Sequence, residues 1–520
     1  MTVVQSGSIN TTALAVPDLY VQIVPPQNAY INGVPTNIFG LVGTATWGAV
    51  NSPTIVGNLN QYVLNFGSIQ TNKYDMGTHV AVASLQGASN FRCVRVTDGT
   101  DTAASKAIVD TQGTPVTGLT LTAFYTGITG NSLVATVSQG SSYNSVNPTF
   151  KLTIVMPNGV PEVYDNIGGT GLAFWQNMVN AVNLGLSNIR GPSQLCVATI
   201  GTSTNLPALA TYTLTGGTNG NTTITSSVLI GQDTVPRKGM YALRNTGTSI
   251  ASLCDCDDST TYSTQIAYGL SEGTYMMMIG PVGQSISAAI TAKQTAGIDS
   301  FSAKLLLGDW LYWKDTYNNQ LRLVSPQAAV GGLLSNLSPQ FSSLNKQIQG
   351  IVGTQKSYAN QTYSSADLQS LAGAGIDVIA NPCPGGQYFG VRLGRNASSN
   401  AVTHGDNYTR MTNYIAYTLN SAMGMYVGRL QTVTQRLNAK NTIQTFLSNM
   451  EQQNMIGDVN GGPSYSVVLD SSNNPSSRVA LGYMQSDVKV IYLSVIEYFL
   501  INVEGGQSVT IQRQATIGNQ

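Results

Sequence analysis

Continuous apolar runs alternating with helical segments constrain the fold of this chain more than any other feature. Between residues 228 and 313 the runs SIASLCD, TYMMMIGP and SAKLLLG are separated by the helical segments TQIAYGLSE and SISAAITAKQTA. A strand that is apolar on both faces needs cover on both faces, as in a parallel or mixed sheet between layers of helices. This part of the chain therefore predicts an α/β arrangement.

The N-terminal hundred residues predict a similar opening. After a polar arm and a short strand at 19–24, strands are expected at 37–44 and 91–97, with helices at 59–66 and 77–85 between them. This order is βαβ-like, so it is compatible with a further parallel pair.

The middle of the chain has a different sequence pattern. Residues 119–138 and 149–164 are rich in strand-forming residues and carry glycine turns, and a helix is expected at 172–186. Towards the C-terminus, helices are expected at 408–425 and 442–453. The second has Asn441 as its expected cap.

The run VKVIYLSVIEYFLINVEGG, residues 488–506, is almost free of charge until Glu504. Its apolar part is shorter than the roughly 20 residues that span a bilayer, and it carries Lys489 and Glu497, which argues against a membrane anchor. Its β-branched and aromatic residues favour two strands, at 488–493 and 498–503. Both faces of the second are apolar, so we expect it to be buried.

The surface chemistry predicts association. Charged residues make up 9% of the chain, against roughly 25% in typical domains, and 24 basic residues balance 24 acidic ones. Because a chain of zero net charge tends to associate, we expect copies of this protein to cover one another. The alternative is a secreted, uncharged β-protein. The first twenty residues lack the basic and apolar regions of a signal peptide, and five cysteines without framework spacing fit a reducing cytoplasm.

Candidate chemical sites are few. Cys254 and Cys256 lack a second ligand pair at zinc-site spacing, and the glycine-rich loop at 214–220 lacks the Lys-Ser/Thr pair of a phosphate-binding loop. His404 with Asp406 and a distant serine is left as a hydrolase hypothesis, without a nucleophile-elbow pattern to support it. The sequence has no stripe of basic residues of the kind that would indicate nucleic-acid binding. We therefore predict a non-enzymatic protein with no cofactor and no metal site.

Twelve short segments occur in an order that is informative. They are VPDLYV at 16–21, VPTNIFGLVG at 34–43, WGAVNSP at 47–53, FRCVRV at 91–96, AFYTG at 123–127, TGGTNG at 215–220, DWLY at 309–312, SPQAAVGG at 325–332, LAGAGIDVI at 371–379, NNP at 473–475, GYM at 482–484 and EYF at 497–499. Together they resemble the contractile tail sheath proteins of tailed bacteriophages and related injection machines. Asp18, Asp309 and Ser325 depart from the family pattern, which suggests a divergent member.

The resemblance implies a multidomain α+β, or mixed α/β, fold whose core domain is built from both chain ends, with β-rich and α/β domains inserted between them. The expected boundaries are an arm with the first strand at 1–24, core at 25–100, β-rich domain at 101–225, α/β domain at 226–355, core again at 356–506 and a C-terminal arm at 507–520.

The resemblance also implies a function. Such subunits form stacked hexameric rings around a tail tube, assembled extended and metastable in the host cytoplasm. Contraction then drives the tube through the host envelope. The expected partners are copies of the chain, the tube protein, and baseplate and tail terminator proteins at the sheath ends, with no nucleic acid and no membrane insertion. A β-rich virion surface protein or adhesin is the alternative.

In that family, terminal segments exchange strands between neighbouring subunits. The corresponding arm residues here are Thr2, Val3, Val4, Ser508, Val509, Thr510, Ile511 and Gln512. Pro25-Pro26 and Gly505-Gly506 stand where hinges would be expected. Candidate tube-facing cations are Arg429, Arg436 and Lys489.

Overall fold

The computed structural model describes residues 4–6, 21–23, 31–157, 159–186, 190–501 and 503. Its strands are, in chain order, β1 Val4–Ser6, β2 Val21–Ile23, β3 Phe39–Gly43, β4 Thr54–Val56, β5 Phe91–Arg95, β6 Ser105–Val109, β7 Thr117–Ala123, β8 Val134–Gln139, β9 Phe150–Val155, β10 Glu162–Ile167, β11 Cys196–Ile200, β12 Thr211–Thr213, β13 Ile250–Leu253, β14 Tyr275–Ile279, β15 Ala303–Leu306, β16 Leu311–Asp315, β17 Gln320–Val324, β18 Ile351–Thr354, β19 Ile376–Asp377, β20 Ile379–Ala380, β21 Gly390–Val391, β22 Tyr465–Val468 and β23 Asp487–Val490. Its helices are α1 Leu59–Phe66, α2 Met76–Leu85, α3 Gly171–Leu184, α4 Ser226–Ile230, α5 Tyr262–Glu272, α6 Ile286–Thr295, α7 Pro326–Asn336, α8 Gln355–Tyr358, α9 Ser365–Ala374, α10 Asp406–Met423, α11 Val433–Gln452 and α12 Ser476–Ala480.

A seven-stranded sheet lies at the centre of the fold, in the order β19-β15-β14-β13-β3-β5-β4. Neighbouring strands are parallel except for the antiparallel pair β4 and β5. The predicted mixed α/β architecture is confirmed. Each of the segments 25–100, 226–355 and 356–506 contributes at least one strand to this sheet.

The middle strands of this sheet are buried on both faces, as their unbroken apolar sequences predict. In β14, Tyr275, Met277 and Ile279 pack in a core with α1, α2 and α7, whereas Met276 and Met278 pack in a second core with α4, α5, α6 and α9. All five side chains are buried. Burial of each such side chain contributes about 1.5–3 kcal/mol, so the two helical layers hold the sheet from both sides.

Helix capping explains one prediction that was confirmed and one that was wrong. Helix α1 has the predicted bounds because the Asn58 side chain accepts the Gln61 N–H (2.9 Å) and Gly67 follows with a φ of 80°. Helix α11, however, begins at Val433, not at residue 442, and its cap is Thr432, not Asn441. No glycine or proline interrupts residues 433–441, so the helix extends upstream to Thr432.

The β-rich segment folds around its own core. Two antiparallel sheets, β10-β9-β8-β12 and β11-β7-β6, pack with α3 around Phe174 and Trp175. Trp47, from the loop after β3, is buried in the same core. Smaller antiparallel sheets, β17-β16-β18 and β20-β21, complete the part between α6 and α10.

The C-terminal part is a helical layer with a two-stranded sheet. Helices α10 and α11 and the antiparallel pair β22-β23 enclose a core that includes Ile415, Phe446 and Val467. Asp406, the first residue of α10, is fully buried and joins this layer to the seven-stranded sheet by accepting hydrogen bonds from Lys304 (3.0 Å) and Tyr275 (2.5 Å).

Candidate assembly surface

The chain after β23 runs along α10 towards its N-terminal end. The Tyr492 hydroxyl lies 3.2 Å from the Thr412 hydroxyl, and the Leu493 carbonyl oxygen lies 3.5 Å from the Asn407 amide nitrogen. Residue 492 also forms an isolated antiparallel bridge with Ile456. The predicted strand at 488–493 is confirmed only where it coincides with β23. The side chains of β23 are partly exposed and not buried as predicted.

Glu497 fastens this segment to the body of the protein. Its carboxylate accepts a hydrogen bond from the Arg395 guanidinium at 2.8 Å and lies 3.4 Å from His404 Nε2. Burial and the Arg395 charge lower the pKa of His404, so its imidazole is neutral at pH 7 and Arg395 supplies the cation. Arg395 also donates to the Tyr498 hydroxyl at 3.3 Å.

Beyond Glu497 the chain presents apolar side chains to solvent. Tyr498, Phe499 and Leu500 are 78%, 79% and 89% exposed, and Ile501 and Val503 are similarly exposed. The predicted buried strand at 498–503 is wrong for the described residues, which form no strand there. Both faces are apolar, as predicted, but no strand or helix of the described chain lies against them.

A large groove opens at the other end of α10. It has a volume of about 760 Å³ and lies between the C-terminal end of α10, the turn that follows, α12 and the start of β23. Val427 and Leu430, both largely exposed, are among its apolar lining residues, and Arg429 is the one charged side chain among the lining residues. The guanidinium of Arg429 lies 5.6 Å from the centre of the Tyr426 ring.

Strand edges differ in how they are protected. At the edge strand β11, the Asn183 side chain accepts the Ala198 N–H (2.9 Å) and donates to the Ala198 carbonyl oxygen (2.8 Å). This amide occupies the backbone groups that another strand would use. By contrast, β22 and β23 pair only with each other among the described residues, so each presents an outer edge.

The predicted site residues are only partly described. Val4 lies in β1, which pairs in parallel with β2 through Val21. Thr2, Val3 and the five residues Ser508, Val509, Thr510, Ile511 and Gln512 lie outside the described residues.

The three predicted cations lie in different settings. Arg429 lines the groove, Arg436 lies half-buried in the first turns of α11, and Lys489 is exposed on β23. None of them forms a salt bridge with another described residue.

Sequence reasoning missed the contact between Arg395 and Glu497 and the groove. Glu497 is the only charged residue between Lys489 and Glu504. A lone carboxylate in an apolar run is a signal that it has a partner, although the sequence does not say which.

The hydrolase hypothesis is not supported by the geometry around His404. The His404 imidazole faces Glu497, whereas the Asp406 carboxylate is bound by Lys304, Tyr275 and Ser343. The two residues therefore do not form the catalytic pair that a triad requires.

The groups of the other candidate chemical sites, the glycine-rich loop and the Cys254–Cys256 pair, contact residues of the same chain. The Gly217 N–H donates to the Asn131 side chain at 2.7 Å, and the Cys256 thiol lies 3.8 Å from the Thr261 hydroxyl. Within the described ranges no group of His, Cys, Asp and Glu side chains is arranged to hold a metal ion. Likewise, none of the helices in these ranges is long and apolar enough to cross a bilayer.

No family model matches the chain, and no curated protein matches its sequence. Solved structures do match its fold. A sheath tail protein of Desulfitobacterium hafniense is similar at a TM-score of 0.56 and 14% identity, over 87% of this chain and 94% of that chain. A sheath tail protein of Listeria innocua has a TM-score of 0.58 at 12% identity, over 85% and 90%. The sheath complex of an extracellular contractile injection system, PVC, in its contracted state has a TM-score of 0.53 at 11% identity, over 95% and 98%. The chain therefore has the fold of tail sheath proteins, and the resemblance in its sequence is confirmed at the level of fold.

Proposed function

We propose that this chain is the structural subunit of a contractile tail sheath. The observation that carries the proposal is the extent of the fold match, which includes 85% to 95% of this chain and at least 90% of each sheath protein compared. Most of this chain therefore corresponds to parts of a sheath-type fold. The low content of charged residues and the zero net charge support a structural role in which copies of the subunit cover one another.

Strand exchange between neighbours is part of this proposal. The outer edges of β22 and β23 can each accept a further strand through backbone hydrogen bonds, which need no charged groups. The arm strands would be supplied by Thr2, Val3 and Val4 at one end and by residues 508–512 at the other. Asn183 supports the proposal by contrast, because it closes an edge that is not used.

We propose that contraction is driven by a second packing of the subunits that has a lower free energy, and that it needs no nucleotide. Gains of a few kcal/mol per subunit would add up over a helical lattice. Rigid-body movement requires a stiff subunit joined to its neighbours by compliant links. The buried contacts of Lys304 with Asp377 and Asp406, which tie β15 to β19 and α10, support a stiff body.

The remaining partners follow from the same proposal. Arg429, Arg436 and Lys489 are proposed to face the tail tube, where an acidic surface would attract them. Baseplate and tail terminator proteins would bind at the two ends of the sheath. The protein would be assembled in the host cytoplasm of a phage and remain in the virion tail.

Electron microscopy of the purified protein tests the proposal. We expect long tubes at high protein concentration, and we expect deletion of residues 1–14 or 507–520 to leave a folded subunit that forms no tubes. A full-length protein that stays monomeric at high concentration contradicts the sheath assignment. Compact trimers without tubes would favour a virion surface protein instead.

A further inference from the structure

The segment that leads into β3 crosses α10 and has a cavity beneath it. Among the described residues, segment 31–37 forms one hydrogen bond with the rest of the chain, from the Val34 N–H to the Thr418 hydroxyl at 3.2 Å. The cavity has a volume of about 120 Å³ and is enclosed by Val34, Pro35 and Thr36, by the loop before β13 and by one face of α10. Because Pro35 is exposed, the cavity reaches the surface of the molecule.

Two tyrosine side chains form apolar walls of this cavity. Tyr414 lies against Gly33 and Tyr417 lies against Gly273, and a Cβ atom at either glycine would collide with the tyrosine beside it. The φ of Gly273 is 61°, a conformation that favours glycine. The close approach to the backbone therefore fixes both aromatic side chains where they line the cavity.

Several polar groups that line the cavity already have partners. The Arg410 guanidinium is buried and donates to the carbonyl oxygens of Leu337 (2.7 Å) and Ser338 (3.1 Å) at the C-terminal end of α7. The N–H and the hydroxyl of Ser249 both donate to the Ile38 carbonyl oxygen. These donors are therefore used within the chain.

The Asn413 side chain, which also lines the cavity, differs from them. Its amide nitrogen is buried and donates no hydrogen bond to another described residue. A buried donor without a partner is unfavourable. A buried water molecule is held by about two to four polar partners, which the aromatic walls do not supply. A ligand with an apolar body and one hydrogen-bond acceptor would satisfy both the walls and the amide.

We propose that this cavity is a binding site for a small neutral aromatic compound whose single carbonyl oxygen accepts a hydrogen bond from Asn413. An enclosed apolar cavity of roughly 150 Å³ holds a benzene ring. The cavity here is slightly smaller but reaches the surface, so the ring can be held while a substituent projects into solvent. The site is separate from the assembly surfaces and does not rest on the proposed function.

The local charges favour a neutral ligand over a carboxylate. Arg410 is the charged residue of the lining, and the charge of Asp406 acts on it. Asp406 and Asp377 also bind Lys304, so two cations and two anions balance in this buried cluster. A carboxylate ligand would add an uncompensated buried charge, which is unfavourable.

Acetophenone and toluene are suitable probes, because both carry one aromatic ring and only acetophenone carries a carbonyl group. Titration of the unassembled full-length protein, followed by ligand-observed NMR, should give a Kd for acetophenone of about 1 mM or lower. Asn413→Ala should weaken acetophenone binding about fivefold, since the hydrogen bond is lost, and should leave toluene binding unchanged. Asn420→Ala, an exposed position on the same helix, is the matched control and should change neither affinity.

A second variant tests the location of the probes. Val34→Phe should fill the cavity and abolish the binding of both probes, whereas Val402→Phe, in an exposed turn, should bind them like the original protein. If Val34→Phe does not fold, Asn413→Ala decides the result, because alanine is well tolerated inside a helix.

Three outcomes would overturn the inference. Undiminished acetophenone binding by Val34→Phe would place the probe elsewhere, and an unchanged acetophenone Kd in Asn413→Ala would exclude the amide as the donor. Absence of binding by the original protein, at concentrations well above the expected Kd, would mean that the cavity holds water only. Tube formation by the original protein is a separate measurement, so the sheath proposal stands or fails independently of these titrations.

Discussion

Lys304 Nζ lies 2.5 Å from a carboxylate oxygen of Asp377, and both side chains are fully buried. Burial alone would lower the pKa of Lys304, but the charges of Asp377 and Asp406 outweigh it and raise the pKa above its usual value. The ammonium group is therefore charged in the interior, where removal of one partner leaves uncompensated carboxylates.

Replacement of Lys304 by Met should destabilise the protein by about 3–5 kcal/mol. We expect a lower midpoint of chemical unfolding at pH 7, and part of the loss should be recovered when Asp377→Leu is added. Lys106→Met, an exposed lysine on β6, is the control and should change stability by less than about 0.5 kcal/mol. An unchanged midpoint for Lys304→Met would mean that the buried contacts are not a structural joint.

The anchor at Glu497 makes a prediction about local cleavage. Glu497→Gln removes the charge that Arg395 binds, so residues 498–501 should detach more often from the body. A loss of about 1 kcal/mol corresponds to roughly fivefold faster cleavage by chymotrypsin at these aromatic and leucine residues, measured on unassembled protein. Asp257→Asn, which breaks the surface ion pair with Lys73, should leave this rate unchanged. Equal rates for both variants would contradict the anchor.

Particular residues show how far the sequence predicted this fold. The β14 run could be identified because every residue from Tyr275 to Ile279 is apolar, as expected of a short strand that is covered on both faces. The early start of α11 was missed because its first half has no apolar stripe to mark it. The contact of Arg395 with Glu497 joins residues 102 positions apart, and no local pattern encodes such a pair. Residues 498–503 were predicted correctly to be apolar on both faces, but the described residues among them form no strand and are exposed. A local sequence pattern shows that apolar side chains need to be buried, but it does not show which residues bury them.

The contribution of the Asp75 carboxyl group to stability should depend on pH with a sign opposite to that of most carboxylates. Its side chain caps α2 by accepting the Thr78 N–H at 2.7 Å, and burial raises its pKa to about 6. Between about pH 4 and 6 the folded state therefore binds a proton more tightly than the unfolded state, so this group's contribution to stability falls as pH rises. Asp75→Asn keeps the capping oxygen without the charge. The free energy of unfolding of the variant relative to the original protein should rise by roughly 3 kcal/mol from pH 4 to pH 7.

The control for this pH dependence is Asp98→Asn. Hydrogen bonds from Thr100 and Thr223 hold the pKa of Asp98 below its usual value, so its contribution is present above about pH 4 and is lost as pH falls. The difference between Asp98→Asn and the original protein should therefore change with pH in the opposite direction. If Asp75→Asn follows the original protein at every pH, the Asp75 carboxyl is not titrating in the buried site.

Arg95 lies at the junction between the central sheet and the β-rich part. Its guanidinium is fully buried and donates to the carbonyl oxygens of Gly48 (2.8 Å), Thr126 (2.7 Å) and Asn219 (3.3 Å). Burial lowers its pKa to about 10, so it stays charged at pH 7. A lysine ammonium at this position lacks the planar fork that reaches three carbonyl groups, so Arg95→Lys should cost about 2–3 kcal/mol.

Because those carbonyl groups belong to both sides of the junction, the loss should also uncouple the two parts. Calorimetry of Arg95→Lys should show the β-rich part unfolding at a lower temperature than the sheet, as a separate transition. Arg92→Lys is the matched control: it lies in the same strand, is partly exposed and donates only to Asn90 and Phe91 next to it. If both variants unfold like the original protein, the buried Trp47 side chain, and not Arg95, couples the two parts.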